Sequence, residues 1–296
     1  MSRQLVFIHG RSQEHKEADR LKADWIAAWK RGLAKSELDI PIDEADIRFP
    51  YYGQALFDLA GGAPDDQVAD IIVRGPMADA DLQQKTFVLA VLQEVADETG
   101  VDPLADGAEG DLISRGVQNW EFVQGILRAI DRHIPGSSGA SIALATSDVY
   151  QYLRNPGMRD RIETGIRPAL RSDAETVIVS HSLGTVVAYN LLRRDGLALR
   201  WKVPLFVTLG SPLGVTAIRK ALRPIDAVPC VDHWYNAMDE RDVVALYPLN
   251  ADHFDIAPPI ENNTRISNDT ANRHGISGYL DDKEVAQRIH AALVAA

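Results

Sequence analysis

Apolar positions fall along this chain in two alternating rhythms. Leu5-Val6-Phe7-Ile8 is a short, unbroken apolar run that ends in His9-Gly10. Uniformly apolar runs of this kind suit strands of a sheet covered on both faces. Over residues 15–35, Leu21, Trp25, Ala28, Trp29 and Leu33 fall on one side with charges on the other, which predicts an amphipathic helix. Ile47-Arg48-Phe49 ahead of Pro50 reads as a second strand. The alternation resumes with a helix over 159–170, a strand at 176–179, a helix to about 194 and a strand at 205–209. A strand candidate at 231–237 and a last helix over 282–295 complete it. Strands alternating with helices predict an α/β class with a mostly parallel central sheet and helices on both faces.

Residues 51–147 break this rhythm. Gly61-Gly62, Gly75-Pro76, Asp102-Pro103 and Pro135-Gly136 punctuate the stretch as turns, and Gly136-Ser137-Ser138-Gly139 reads as a loop tip or linker. Helical patterns lie at 81–98 and 118–132. In the first, Leu82, Phe87, Val88, Val91, Leu92 and Val95 form a stripe expected to pack on the core. Gly10 and Ser182 are 172 positions apart. One more strand and two helices need roughly 70 of these at common element lengths. The surplus is read as a helical cap at 51–147 inserted into a core of 1–50 and 148–296.

Composition narrows the function classes. At 296 residues the chain can bury a core without staples, and its single cysteine, Cys230, is expected to be a buried small hydrophobe. No Cys/His cluster has zinc-ligand spacing, and neither metal nor cofactor is expected. A net charge of −11 with no Lys/Arg run argues against a nucleic-acid partner or an anionic membrane surface. The first apolar run is too short for a signal peptide, and nothing approaches the roughly 18 apolar residues of a membrane helix. These features predict a soluble, cytoplasmic protein; oligomeric state is not legible.

One motif carries chemistry. Ser180-His181-Ser182-Leu183-Gly184 follows an apolar strand and precedes a helical pattern. A serine hydroxyl needs a base, an orienting acid and oxyanion donors to act as a nucleophile. A sharp strand-to-helix turn presents it above a sheet, and small residues at 180 and 184 permit that turn. Ser182 is therefore the candidate nucleophile.

The sequence resembles the α/β-hydrolase superfamily, and within it bacterial lipase-like and GPI-inositol-deacylase-like serine esterases. Phe7-Ile8-His9-Gly10 resembles the strand end before the oxyanion residue, and residues 180–184 the nucleophile elbow, with Ser180 where Gly is usual. Thr208-Leu209-Gly210-Ser211-Pro212 resembles the strand end after the elbow helix. Asp242-Val243-Val244-Ala245 resembles the acid turn, and His274-Gly275-Ile276-Ser277-Gly278-Tyr279 the histidine loop. The match covers about 4–50 and 150–296, not the insertion.

The resemblance implies an α/β-hydrolase fold with a Ser182, Asp242, His274 triad, in the chain order of that fold. Of eight histidines, His274 sits in a polar, Gly-containing loop before the last helix, with His253 as rival. His181, next to the nucleophile, is expected to point elsewhere. Asp239 is the alternative acid. Backbone N–H groups of Arg11 and Leu183 are expected to form the oxyanion hole, with His9 and Gly10 shaping the supporting loop. The implied activity is hydrolysis of a small-molecule or lipid-like carboxylic ester through an acyl-enzyme. A thioesterase or amidase on the same triad, and a non-catalytic or partner-regulated module of this fold, are the alternatives.

Overall fold

The computed structural model describes residues 3–10, 17–53, 82–102, 120–134 and 139–295. In chain order the elements are β1 (Arg3–Ile8), α1 (Ala18–Ala34), β2 (Ile47–Arg48), α2 (Leu82–Thr99), α3 (Trp120–His133), α4 (Gly139–Arg154) and α5 (Pro156–Ile166). Then come β3 (Glu175–His181), α6 (Leu183–Asp195), β4 (Phe206–Leu209), α7 (Thr216–Leu222), β5 (Trp234–Ala237), β6 (Glu261–Asn263), α8 (Ile276–Leu280) and α9 (Lys283–Val294). The six strands form one parallel sheet in the order β2-β1-β3-β4-β5-β6. The α/β class read from the alternating rhythm is thus observed, with helices flanking the sheet.

Alternate side chains of β1, β3 and β4 feed two cores. Leu5, Phe7, Val177, Val179 and Val207 face one side, where they meet Trp25 and Trp29 of α1, Tyr279 and Leu280 of α8 and Ile289 of α9. Val6, Ile8, Ile178 and Phe206 face the other, against Val186 and Leu191 of α6. Two apolar faces explain why the strands read as unbroken runs rather than alternating ones. Asp282 ends the turn before α9 and accepts from the N–H groups of Glu284 and Val285, and Asn155 caps α5 through Met158 N–H.

The insertion has no separate core among the described residues. Val88, Val91, Leu92 and Val95 of α2, Ile126 and Ile130 of α3 and Ile142 and Val149 of α4 belong to the same hydrophobic cluster as α6. Leu82 leaves the expected stripe and is 47% exposed. Helix α4 runs unbroken from Gly139 across the expected boundary at 147/148 and packs on both α2 and α6. Gly139 therefore opens a helix rather than closing a loop. The turns at Gly61-Gly62, Gly75-Pro76 and Pro135-Gly136, and residue Pro103, lie outside the described residues.

Strand order places a topological switch point in the sheet. From β1 the chain steps outward to β2, then returns past β1 to β3 and proceeds the other way. Open α/β sheets bind ligands beyond the carboxyl ends of strands at such a point. Here those ends are Ile8 and His181, and Ile8 pairs with Ser180 beside it.

A buried carboxylate ties α4, α5 and α6 together. Glu163 of α5 is fully buried. It accepts from Tyr152 Oη of α4 (2.8 Å), Arg194 Nη1 of α6 (3.0 Å) and Arg167 Nη2 (2.8 Å). Removing the carboxylate leaves two guanidinium groups and a buried hydroxyl short of an acceptor. Glu163→Ala is expected to lower the unfolding free energy in urea titration by about 2–4 kcal/mol; a loss within about 0.5 kcal/mol, as for a surface change, would contradict the clamp.

Candidate active site

The turn between β3 and α6 sets the site. Ser182 lies between the two elements with φ 55° and ψ −128°, a conformation a side-chain-bearing residue holds only at a cost of about 1–3 kcal/mol. Its N–H bonds Leu209 O (3.1 Å) on β4. Two glycines admit it. A Cβ on Gly10 would lie 2.8 Å from Ser182 Cβ, and one on Gly184 would lie 2.6 Å from the His9 carbonyl oxygen. Ser180, where the resembled pattern has Gly, fits because its Oγ donates to Val207 O (3.0 Å). Leu183 opens α6, so its N–H is among the four that a helix leaves without an internal acceptor. Arg11, the other expected oxyanion donor, lies outside the described residues.

Asp242 and His274 meet. His274 Nδ1 is 2.7 Å from Asp242 Oδ2, so Nδ1 carries the proton and Nε2 is left as the acceptor. Asp242 is buried. Its Oδ1 accepts from the N–H groups of Val244 (3.0 Å) and Ala245 (3.4 Å), and its Oδ2 also accepts from Tyr279 Oη (2.6 Å). His274 Nε2 is buried with no hydrogen-bond partner among the described residues, and Ser182 Oγ is not bonded to it in this conformation. A Cβ on Gly210, which follows the residue that binds Ser182 N–H, would lie 3.1 Å from Asp242 Oδ2 and His274 Nδ1. Ser182 and the Asp242–His274 pair therefore share one wall, the end of β4.

The rival residues do other work. Asp239 takes a salt bridge from Arg241 Nη2 (2.8 Å) and accepts from Asn268 N–H (2.7 Å). Burial works to raise its pKa, but the bonds from Arg241 and Asn268 outweigh it and leave the pKa lowered. Asn268 in turn holds the histidine loop through Gly275 O and Thr270. Asp239 is thus an anchor of the His274 loop. His253 stacks on Tyr247 with ring centroids 4.1 Å apart.

His181 departs from expectation. It does not point away: Nε2 donates to the backbone oxygen of His274 (2.7 Å), and the two rings lie 4.7 Å apart. Burial, reinforced by neighbouring His274, holds it well below the ordinary imidazole range, so it stays neutral. His9 is also fully buried. Its Nδ1 donates to Gly10 O (2.7 Å), its Nε2 accepts Tyr52 N–H (3.0 Å), and Tyr52 Oη donates to His9 O. Spacing gave no signal for His181 or Asn268: His181 reaches a backbone oxygen 93 positions away, and Asn268 braces its own loop through Thr270 and Gly275. Cys230 is buried as expected, and burial pushes its thiol up to about 11.

Beside Ser182 lies a narrow apolar pocket with a cavity volume of about 20 Å3. Val91 of α2, Ile142 and Val149 of α4, Ile218 of α7 and Val243 line it with Leu183. No group of three or more potential metal ligands occurs among the described residues. None of their helices is long and apolar enough to cross a membrane. No protein-family model, curated protein or solved structure matches the chain.

The neutral histidines make stability depend on pH. Burial lowers the His9 pKa to about 4, against 6.5 in the unfolded chain. Between those values the unfolded state binds a proton that the folded state refuses, so stability is complete above pH 6.5 and is lost as pH falls towards 4. Urea titrations are expected to lose about 3 kcal/mol over that window from His9 alone, with His181 adding to it. His9→Phe should flatten the slope; an identical slope in the variant would contradict the assignment.

Proposed function

We propose that the chain is a serine hydrolase of the α/β-hydrolase type that cleaves carboxylic esters through an acyl-enzyme. The observation that carries this reading is the buried Nε2, unpaired among the described residues, of an imidazole whose Nδ1 is held by Asp242, near a serine in a strained strand-to-helix turn. Buried polar atoms in folded proteins are nearly always paired, so an orphan acceptor on an imidazole oriented by a carboxylate fits a base awaiting a proton. Strained backbone of the Ser182 kind clusters at functional sites.

The chemistry follows in two steps. His274 Nε2 takes the Ser182 hydroxyl proton as Oγ bonds to the ester carbonyl carbon, and Asp242 stabilises the imidazolium through Nδ1–H. The oxyanion rests on the N–H of Leu183, reinforced by the N-terminal end of α6, with the N–H of Arg11 as the proposed second donor. The imidazolium returns its proton to the leaving alkoxide as the C–O bond breaks. Water, deprotonated by His274, then attacks the acyl-enzyme, and Ser182 is regenerated as the acid departs. The acyl group is directed at the narrow apolar pocket between α2, α4 and Ser182, whose aliphatic side chains must part to admit more than its first carbons. Its aliphatic walls and few polar partners suit an apolar acyl chain.

Hydrolysis of p-nitrophenyl esters and labelling by a fluorophosphonate test the reading. Ser182→Ala is expected to remain folded, lose its label and lose at least about a thousandfold in kcat. An unchanged rate would sink the proposal. Over short acyl chains, kcat/KM should rise about fourfold per methylene until the pocket is full, following about 0.8 kcal/mol per buried CH2. A rate indifferent to acyl length would contradict an acyl group in the pocket.

A further inference from the structure

Tyr279 has a function that packing does not require. Its ring belongs to the core between α1 and the sheet, and the residue is fully buried. A phenylalanine would fill that space. The hydroxyl instead reaches between two acidic residues of the loop after β5. It accepts the N–H of Asp239 (3.3 Å) and donates to Asp242 Oδ2 (2.6 Å). With one side of the oxygen taken by that N–H, its single proton goes to the carboxylate.

The Asp242 carboxylate is consequently saturated. Four donors meet its two oxygens: Val244 and Ala245 N–H on Oδ1, and Tyr279 Oη–H and His274 Nδ1–H on Oδ2. The last two compete for the same oxygen. A donor already bound to an anion draws off part of its charge, which weakens the hold of that anion on a neighbouring cation.

We propose that Tyr279 is a positioning residue that fixes Asp242 Oδ2 and limits how tightly that carboxylate holds the imidazolium form of His274. The inference rests on the hydrolase reading of the same site. Burial, with the charge of Asp242 beside it, keeps the Tyr279 phenol protonated throughout the working range, so the donor is always present. The other charged or titratable groups here are Asp239 with its partner Arg241, His181 on β3, and Arg273 with Asp269 on the His274 loop. From α1 the nearest ring is Trp25, which meets His181 edge-on and carries no charge. All of these are retained when only the Tyr279 hydroxyl is removed.

The test compares wild type, Tyr279→Phe and Tyr279→3-fluorotyrosine, whose phenol is a stronger donor of nearly the same shape. Three quantities are read: the pH profile of kcat for a p-nitrophenyl ester, the low-field proton resonance of His274 Nδ1–H, and thermal unfolding. In Tyr279→Phe the acid limb is expected to move up by about one pH unit, with kcat on the plateau lower by about tenfold and KM little changed. The resonance should move further downfield. The fluorotyrosine variant should shift both limb and resonance in the opposite directions. If Tyr279→Phe does not fold, the fluorotyrosine variant decides alone. Folded variants whose limb and resonance match wild type would overturn the proposal, even if kcat fell. A wild-type protein that cleaves no ester would overturn the hydrolase reading alone, because the resonance still reports on the tyrosine donor.

Discussion

The site depends on the close approach of β1 to the turn that follows β3. Ser182 can occupy its left-handed conformation only because Gly10 leaves room beside it and Gly184 lets the first turn of α6 sit against the end of β1. The approach occurs at the switch point of the sheet, where the chain leaves β1 in one direction and β3 in the other. Larger side chains at either glycine would force apart the buried end of β1 and the buried first turns of α6. The turn is strained, and the strain of about 1–3 kcal/mol is offset by the packing of the apolar strand before it and the buried helix after it.

Around that turn, three histidines divide the work by environment. His9 and His181 are buried, neutral and tied to backbone oxygens, one at Gly10 and one at His274. They set loop geometry without adding charge. Of the three, His274 has a carboxylate on one ring nitrogen and, among the described residues, no partner on the other. His181 places no charge beside the His274 ring 4.7 Å away. The same division shapes the loop after β5. Asp242 turns towards the imidazole, whereas Asp239, three positions earlier, braces the loop that carries it.

Much of this was legible in the sequence. Unbroken apolar runs marked β1, β3 and β4, and 3.6-residue spacing marked α1, because burial on both faces or on one stripe leaves a direct trace in side-chain type. The Ser182 turn was legible from small residues at 180 and 184. What escaped has physical causes. Strand β6 is Glu261-Asn262-Asn263, an edge strand held partly by amide side chains such as Asn236 to Asn262 (2.9 Å), so it shows no apolar pattern. Helix α4 begins at a glycine after two serines, which read as a linker. The choice between Asp242 and Asp239 turned on resemblance, and only coordinates separate two acidic residues three positions apart. His181 and Tyr279 act across 93 and 37 positions. No local pattern encodes such contacts.

The central claim is that Ser182 and His274 work as one unit. The most direct measurement is a crystal structure of the protein after reaction with a fluorophosphonate. The account predicts a phosphorus–oxygen bond to Ser182 Oγ, His274 Nε2 within hydrogen-bond distance of that oxygen, and the phosphonyl oxygen against the N–H of Leu183. An adduct on another residue, or an adduct on Ser182 with the imidazole turned away from it, would contradict the account.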